Sequence, residues 1–172
     1  MAPTNVIQPS GFHPASYGSF TIERRLKAPV KRVYQAWSSA EAKTAWFVGG
    51  ADWHQEIREF DFREGGRERL RGKWPSGFVS DFRNLYWEII PEKRIVYTYE
   101  MHLNDVRISV SIATIEFSPD GPDTNKHGTL LKLTEQGAFL SPFDAKGDDN
   151  GSRERGTQEL LDQMTRWAEA AG

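Results

Sequence analysis

Apolar and polar residues alternate over residues 19–26, which is typical of a strand with one buried face. Before this strand, residues 1–16 contain three prolines and show little periodicity. We therefore predict a flexible N-terminal arm over residues 1–16 and a single domain over residues 17–172.

Two short helices are predicted after the first strand. From Val30 to Trp37, apolar residues recur at i, i+3, i+4 and i+7, which places them on one helix face. Ser38 and Glu41 form a capping box that begins a second helix, and Gly49-Gly50 ends it.

A run of antiparallel strands follows, separated by Gly, Pro, Asn and Asp turn signals. The predicted strands cover residues 57–62, 67–74, 78–90, 94–102, 108–117 and 129–135. In the fifth of these, Ile108, Val110 and Ile112 have one parity and Ile115 has the other. This change of phase predicts a β-bulge near Ala113-Thr114, which would curve the sheet.

The C-terminal segment predicts one long amphipathic helix capped by Ser152. The predicted buried stripe of this helix runs from Thr157 through the apolar residues between Leu160 and Ala171. Arg153 is placed with the polar residues on the other faces of the helix. Gly156 lies near the start, where we expect a close approach of another backbone. A single helix with one apolar stripe must bury it against one face of the sheet. The order of these elements therefore predicts an α+β helix-grip fold with six to seven strands.

Composition excludes several classes of protein. The chain has no cysteine, which removes disulfides and thiolate chemistry, and its net charge of −2 gives no electrostatic basis for binding nucleic acid. No apolar run approaches the length of a membrane span. We therefore expect a cytoplasmic protein, monomeric or homodimeric, that binds neither nucleic acid nor membrane.

Five motifs in order resemble the activator-of-Hsp90-ATPase-like branch of the START-like, Bet v 1-like superfamily. They are RRLKAPVKRVYQAWSSAEAKTAWF, FREGGR, YWEIIPEKRIVYTY, GTLLKLTEQGAFL and RERGTQELLDQM, within residues 19–170. The resemblance implies a helix-grip fold and a cavity for an apolar ligand. It supplies no fixed catalytic set, and it makes Hsp90 a possible partner.

Histidines and charged residues offer few candidates for chemistry. No histidines have metal-ligand spacing, so we predict no metal and no cofactor. His13 and His127 are expected in solvent, whereas His54 and His102 are placed at the mouth of a cavity. Two further sets are candidates: an acid–base role for the carboxylates Glu88, Glu100 and Glu135, and a ligand-anchoring role for the arginines Arg69, Arg83 and Arg107. For both sets we favour a place on an exposed face of the sheet.

Aromatic residues make the strongest case for function, because they amount to 12% of the chain. They form either a filled core or the wall of a pocket of several hundred Å³. The predicted ligand-binding residues are Trp46, Trp53, Phe62, Trp74, Phe78, Tyr97, Tyr99, Met101, Phe117, Met164 and Trp167.

Three functions remain open at this point. The first is binding of an apolar, aromatic or lipid-like small molecule, without catalysis. The second is an enzyme of the polyketide cyclase or hydrolase kind that uses the same cavity. The third is an interaction module of the Hsp90-activator type.

Overall fold

The computed structural model describes residues 12–122, 128–140 and 149–170, and the side chains of 149–152 are outside this description. The elements follow in the order β1 (Ser16–Leu26), α1 (Val30–Ser38), α2 (Ala40–Trp46), β2 (His54–Phe60), β3 (Arg67–Lys73), β4 (Val79–Ile90), β5 (Arg94–Leu103), β6 (Val106–Asp120), β7 (Gly128–Phe139) and α3 (Asp149–Glu169). Residues 1–11 of the predicted N-terminal arm, His127, and residues 141–148 between β7 and α3 lie outside the described residues.

The seven strands form one antiparallel, curved and unclosed sheet in the order β1-β7-β6-β5-β4-β3-β2. Strands β2 to β7 are neighbours in sequence and in space, whereas β1 pairs with β7, from Ser16 opposite Phe139 to Leu26 opposite Thr129. The three helices pack on the core face of this sheet. The predicted α+β helix-grip fold is confirmed.

The C-terminal helix buries the middle of the predicted stripe, whereas Thr157, Leu160 and Trp167 are partly exposed and Ala171 lies outside the described residues. Leu161, Met164 and Ala168 are at most 2% exposed and belong to the same core cluster as the inner faces of the strands. At its end the helix meets α1, where the guanidinium of Arg32 lies 3.5 Å from the centre of the Trp167 ring.

The β-bulge of β6 lies at a different place from the predicted one. The strand pairs with β5 without interruption from Ser109 to Glu116, and the register shifts where His102 pairs with Arg107. Val110 and Ile112 face outward, 39% and 37% exposed. Their parity with Ile108 gave an apolar pattern on the outer face, whereas the inner face carries the small residues Ser109, Ser111 and Ala113, which give no such pattern.

Helix starts also differ from the prediction by a few residues. Ser39, not Ser38, caps α2, because its hydroxyl accepts a hydrogen bond from the backbone N–H of Ala42 at 3.3 Å. Helix α3 begins at Asp149, so Ser152 lies within it and does not cap it.

Among the described residues, no backbone of another element lies close to Gly156, contrary to the prediction. A Cβ atom at this position would find no described neighbour within 4 Å outside its own helix. The space beside it is part of the cavity described below.

Candidate ligand-binding cavity

A cavity of about 410 Å³ lies between the inner face of the sheet, α2 with the loop after it, and the first half of α3. This volume is within the usual range for small-molecule sites. Its wall is mostly aromatic and aliphatic, and the aromatic members are Trp37, Trp46, Phe47, Trp53, Trp74, Phe82, Tyr97 and Tyr99.

Strand alternation brings the central side chains into this wall. On β5, Tyr97, Tyr99 and Met101 share one parity and face the cavity, as the alternation predicts. Phe82 on the neighbouring strand lies 5.0 Å from the Tyr99 ring, centre to centre. The curved sheet thus presents a continuous aromatic surface to the helices.

The structure places some of the predicted ligand-binding residues in the wall and others elsewhere. Those in the wall are Trp46, Trp53, Trp74, Tyr97, Tyr99 and Met101. Outside it lie Phe62, Phe78, Phe117, Met164 and Trp167. Phe62 and Phe117 pack against Tyr34, with ring centres 6.1 and 5.6 Å away, and Phe78 packs against Trp74 at 5.7 Å.

Trp53 lies in a slot made by two glycines. A Cβ atom at Gly49 or Gly72 would come within 2.2 and 2.0 Å of the Trp53 ring, so both positions need glycine while the ring is there. The indole Nε1–H donates a hydrogen bond to Ser80 Oγ at 3.2 Å. The loop between α2 and β2 therefore contributes its tryptophan to the cavity wall in a defined position.

A polar cluster stands at one end of this otherwise apolar cavity. The Tyr99 hydroxyl donates to Glu135 Oε1 at 2.6 Å and accepts a hydrogen bond from Arg153 Nη1 at 2.6 Å. Arg153 Nη2 donates to Ser109 Oγ at 2.7 Å, and its Nη1 lies 3.9 Å from Glu135 Oε1. One anion and one cation thus share a tyrosine hydroxyl beside the cavity.

Both cavity tyrosines are held in the neutral form. Burial raises the pKa of the Tyr99 hydroxyl, and Glu135 adds to this against the opposing effect of Arg153. Burial, followed by Tyr99 and Glu135, raises the pKa of Tyr97 well above its ordinary value. Each hydroxyl therefore remains a potential hydrogen-bond donor at neutral pH.

Sequence reasoning misplaced the two charged residues of this cluster. Glu135 was predicted on an exposed face and is only 4% exposed, and Arg153 was placed away from the helix stripe but lines the cavity. A signal was present in both cases. Glu135 shares its parity with Leu131 and Leu133, and Arg153 precedes Thr157 by one helical turn.

The two other candidate carboxylates are partly exposed. Glu88 receives a hydrogen bond from Arg94, and Glu100 receives one from Arg107 at 2.8 Å. Neither carboxylate belongs to the cavity wall. Arg107, another candidate ligand anchor, therefore pairs with a carboxylate on the sheet surface.

A second buried ionic cluster, which the sequence analysis missed, lies behind the aromatic wall. Glu68 accepts a hydrogen bond from the Tyr86 hydroxyl at 2.7 Å, and its carboxylate lies 3.3 Å from Lys43 Nζ and 3.4 Å from Arg58 Nη2. The Lys43 ammonium is 4.7 Å from the centre of the Trp37 ring, which is part of the wall. Burial lowers the pKa of Lys43, and Glu68 opposes this effect.

The remaining arginine candidates lie on the outer face of the sheet. Arg69 and Arg83 both donate hydrogen bonds to the buried carboxylate of Asp81, at 2.8 and 2.7 Å for the shortest contacts, and Arg71 adds one at 3.3 Å. Burial alone would raise the pKa of Asp81, but the hydrogen bonds from Arg69 and Arg83 outweigh it and hold the pKa well below its usual range. This cluster bridges β3 and β4, away from the cavity.

The described histidines do not reach the cavity. His13 and His54 are exposed, and His102 is buried on the outer face, with Nε2 3.4 Å from Glu100 Oε2. The predicted place of His54 and His102 at a cavity mouth is therefore wrong.

Across residues 12–122, 128–140 and 149–170, no group of three or more potential ligands could hold a metal ion. In the same ranges no helix is long and apolar enough to cross a bilayer.

A curved antiparallel sheet that holds a C-terminal helix and encloses a cavity defines the START-like, helix-grip class. The family described as Activator of Hsp90 ATPase homolog 1-like protein matches residues 27–169. The chain belongs to this family. Among curated proteins, none matches the chain.

Solved structures of bacterial proteins agree with this assignment. An uncharacterized protein from Rhizobium leguminosarum is 38% identical, with a TM-score of 0.79, and the match covers 91% of this chain and 97% of that one. The Mll3558 protein from Rhizobium loti is 33% identical, with a TM-score of 0.77 and coverage of 90% and 99%. An AHSA1-like protein from Aeromonas hydrophila, at 22% identity, TM-score 0.63 and coverage of 90% and 94%, shares the fold.

Proposed function

We propose that this chain is a cytoplasmic protein that binds a small, largely apolar, aromatic or lipid-like molecule in the cavity. The observation that carries the proposal is the aromatic cavity of about 410 Å³ between the sheet, α2 and α3. Aromatic walls with a few polar groups at one end are the usual design of a small-molecule site. The six predicted residues found in the wall are proposed to contact the ligand.

Methionine methyl groups offer a direct test. Met101 is in the cavity wall, and Met164 is 0% exposed in the core outside it. With ¹³C-methyl methionine, titration with naphthalene should shift the Met101 resonance in a saturable way and shift that of Met164 less. Native mass spectrometry of protein purified from its own host should reveal a co-purifying ligand.

A variant that fills the cavity separates specific binding from adsorption. Gly156→Leu would place a side chain in the open space beside α3 and should weaken naphthalene binding at least tenfold. Arg166→Leu adds a leucine on the exposed side of the same helix and should leave binding unchanged. Equal affinity in the wild type and in Gly156→Leu would contradict binding in this cavity.

An enzyme that uses the same cavity is the second candidate. The observation in its favour is the close pair Tyr99 and Glu135, at 2.6 Å, with Arg153 beside them. Such a set could donate a proton to a bound carbonyl. Incubation of the protein with its co-purified ligand, followed by mass spectrometry, should show a change of mass if there is turnover and none if there is only binding.

Interaction with Hsp90 is the third candidate, and it rests on the family together with exposed apolar residues on the outer face of the sheet. Tyr17, Val110 and Ile112 are 80%, 39% and 37% exposed there. A rise in the ATPase rate of Hsp90 on addition of the protein would favour this role. Loss of the effect in Ile112→Ser would assign it to this face.

A further inference from the structure

The hydroxyl of Tyr97 is a donor in the cavity wall that has no acceptor among the described residues. Tyr97 is 8% exposed and belongs to the cavity wall. Its neighbours are aromatic, with ring centres at 5.9 Å for Tyr86, 6.1 Å for Tyr99 and 6.4 Å for Phe82. Within the described part of the chain, no hydrogen bond involves this hydroxyl. Since a hydroxyl in an apolar wall is stabilised by a hydrogen-bond acceptor, this one favours a ligand that places an acceptor oxygen in the cavity.

The polar end of the cavity already holds an anion and a cation that are close to each other. Glu135 and Arg153 lie 3.9 Å apart, with side chains 5% and 12% exposed, and the Tyr99 hydroxyl joins them. An anionic ligand would add a negative charge beside Glu135 and would find no cation other than Arg153 among the described wall residues, whose remaining charged member is Glu159. Desolvation of that charge would therefore oppose binding.

We infer that the cavity selects against anions and takes a ligand that carries a carbonyl, ether or hydroxyl oxygen on an apolar body, and that Tyr97 donates a hydrogen bond to this oxygen. The inference rests on the proposed function and adds two properties to it. The ligand has a hydrogen-bond acceptor, and it has no anionic group.

Three probes of similar shape separate these properties. Acetophenone has a carbonyl oxygen, α-methylstyrene has a methylene group in its place, and benzoate has an anionic carboxylate. Their affinities are measured from the Met101 methyl shift, which also locates the probe in the cavity. For each probe, the affinity of a variant is divided by the affinity of the wild type. The probe's own hydration is the same in both measurements, so it cancels from this ratio.

Tyr97→Phe should weaken acetophenone binding about fivefold to tenfold, the usual effect of one hydrogen bond. It should change α-methylstyrene binding less than about twofold. The control Tyr34→Phe removes a hydroxyl outside the wall and should affect neither probe. Equal weakening of both probes by Tyr97→Phe, or no weakening of acetophenone, would overturn the role of Tyr97.

The charge argument has its own test, which does not depend on Tyr97→Phe. Benzoate should bind the wild-type protein at least about tenfold more weakly than acetophenone. Glu135→Gln removes the carboxylate that lies beside Arg153 in the wall and should improve benzoate relative to acetophenone. Benzoate binding as tightly as acetophenone would overturn the selection against anions, whereas no Met101 shift with any probe would overturn the proposed function itself.

Discussion

The buried cluster around Glu68 contains one anion and two cations, and this imbalance allows an asymmetric prediction. Glu68→Gln keeps the size of the side chain but leaves the ammonium of Lys43 and the guanidinium of Arg58 without a carboxylate. Lys43→Met keeps most of the aliphatic length and leaves Glu68 with Arg58 and the Tyr86 hydroxyl. We therefore expect the first substitution to cost much more stability than the second.

The magnitudes follow from the burial of the charges. Lys43 and Glu68 side chains are 2% and 0% exposed, and removing one partner of a buried pair costs about 3–5 kcal/mol. The lost charge-assisted hydrogen bond from Tyr86 overlaps with this cost, so we expect a total of about 4 kcal/mol for Glu68→Gln. For Lys43→Met the relief from burying an ammonium group offsets the lost attraction, and the change should be within about 1 kcal/mol.

Urea unfolding followed by tryptophan fluorescence measures both effects. With an m-value of about 2 kcal/mol/M, Glu68→Gln should lower the midpoint by about 2 M and Lys43→Met by at most about 0.5 M. The control Glu116→Gln removes a half-exposed pair with Lys132, 3.9 Å apart, and should cost less than about 0.5 kcal/mol. Equal losses for the two cluster variants, or a loss below about 1 kcal/mol for Glu68→Gln, would refute the argument.

Three further predictions concern a carboxylate on the outer face and two glycines. The pKa of Asp81 is lower in the folded state than in the unfolded chain, so its contribution to stability is present above about pH 4 and is lost as the pH falls through the folded pKa. Urea midpoints between pH 5 and pH 2 should therefore fall less steeply in Asp81→Asn than in the wild type. Gly72→Ala should displace Trp53 and cost about 1–3 kcal/mol, with a shift of tryptophan emission; an unchanged spectrum would argue against the slot. Gly156→Ala meets no neighbour and should raise the thermal midpoint through a gain of up to about 1 kcal/mol in helix propensity, so a lower midpoint would contradict the open space there.

Local patterns predicted most of the fold. The alternation on β5 placed Tyr97, Tyr99 and Met101 on one face, and the structure puts all three in the same wall. The helical repeat likewise identified Leu161 and Met164 as core. These predictions succeed because the side-chain direction of a strand or a helix depends on residues two to four positions away.

Prediction failed where apolar residues stand on a solvent face or charged residues on an inner one. Val110 and Ile112 look like core residues but face outward on β6. Glu135 and Arg153 look like surface residues, yet each faces the cavity because the other neutralises it. A hydropathy value is assigned to each residue type without regard to its neighbours, whereas the free-energy cost of burying a charge depends on its partner.

The sequence by itself therefore determined the order of the elements, the helix that the sheet holds and an interior rich in aromatic residues. Only the tertiary structure decided that Trp53 and Tyr97 face a cavity while Phe62 and Met164 fill the core. All four are apolar or aromatic residues that favour burial equally well. Whether space remains beside a side chain depends on the curvature of the sheet and on how distant segments pack, and the periodicity of a single element carries no information about either.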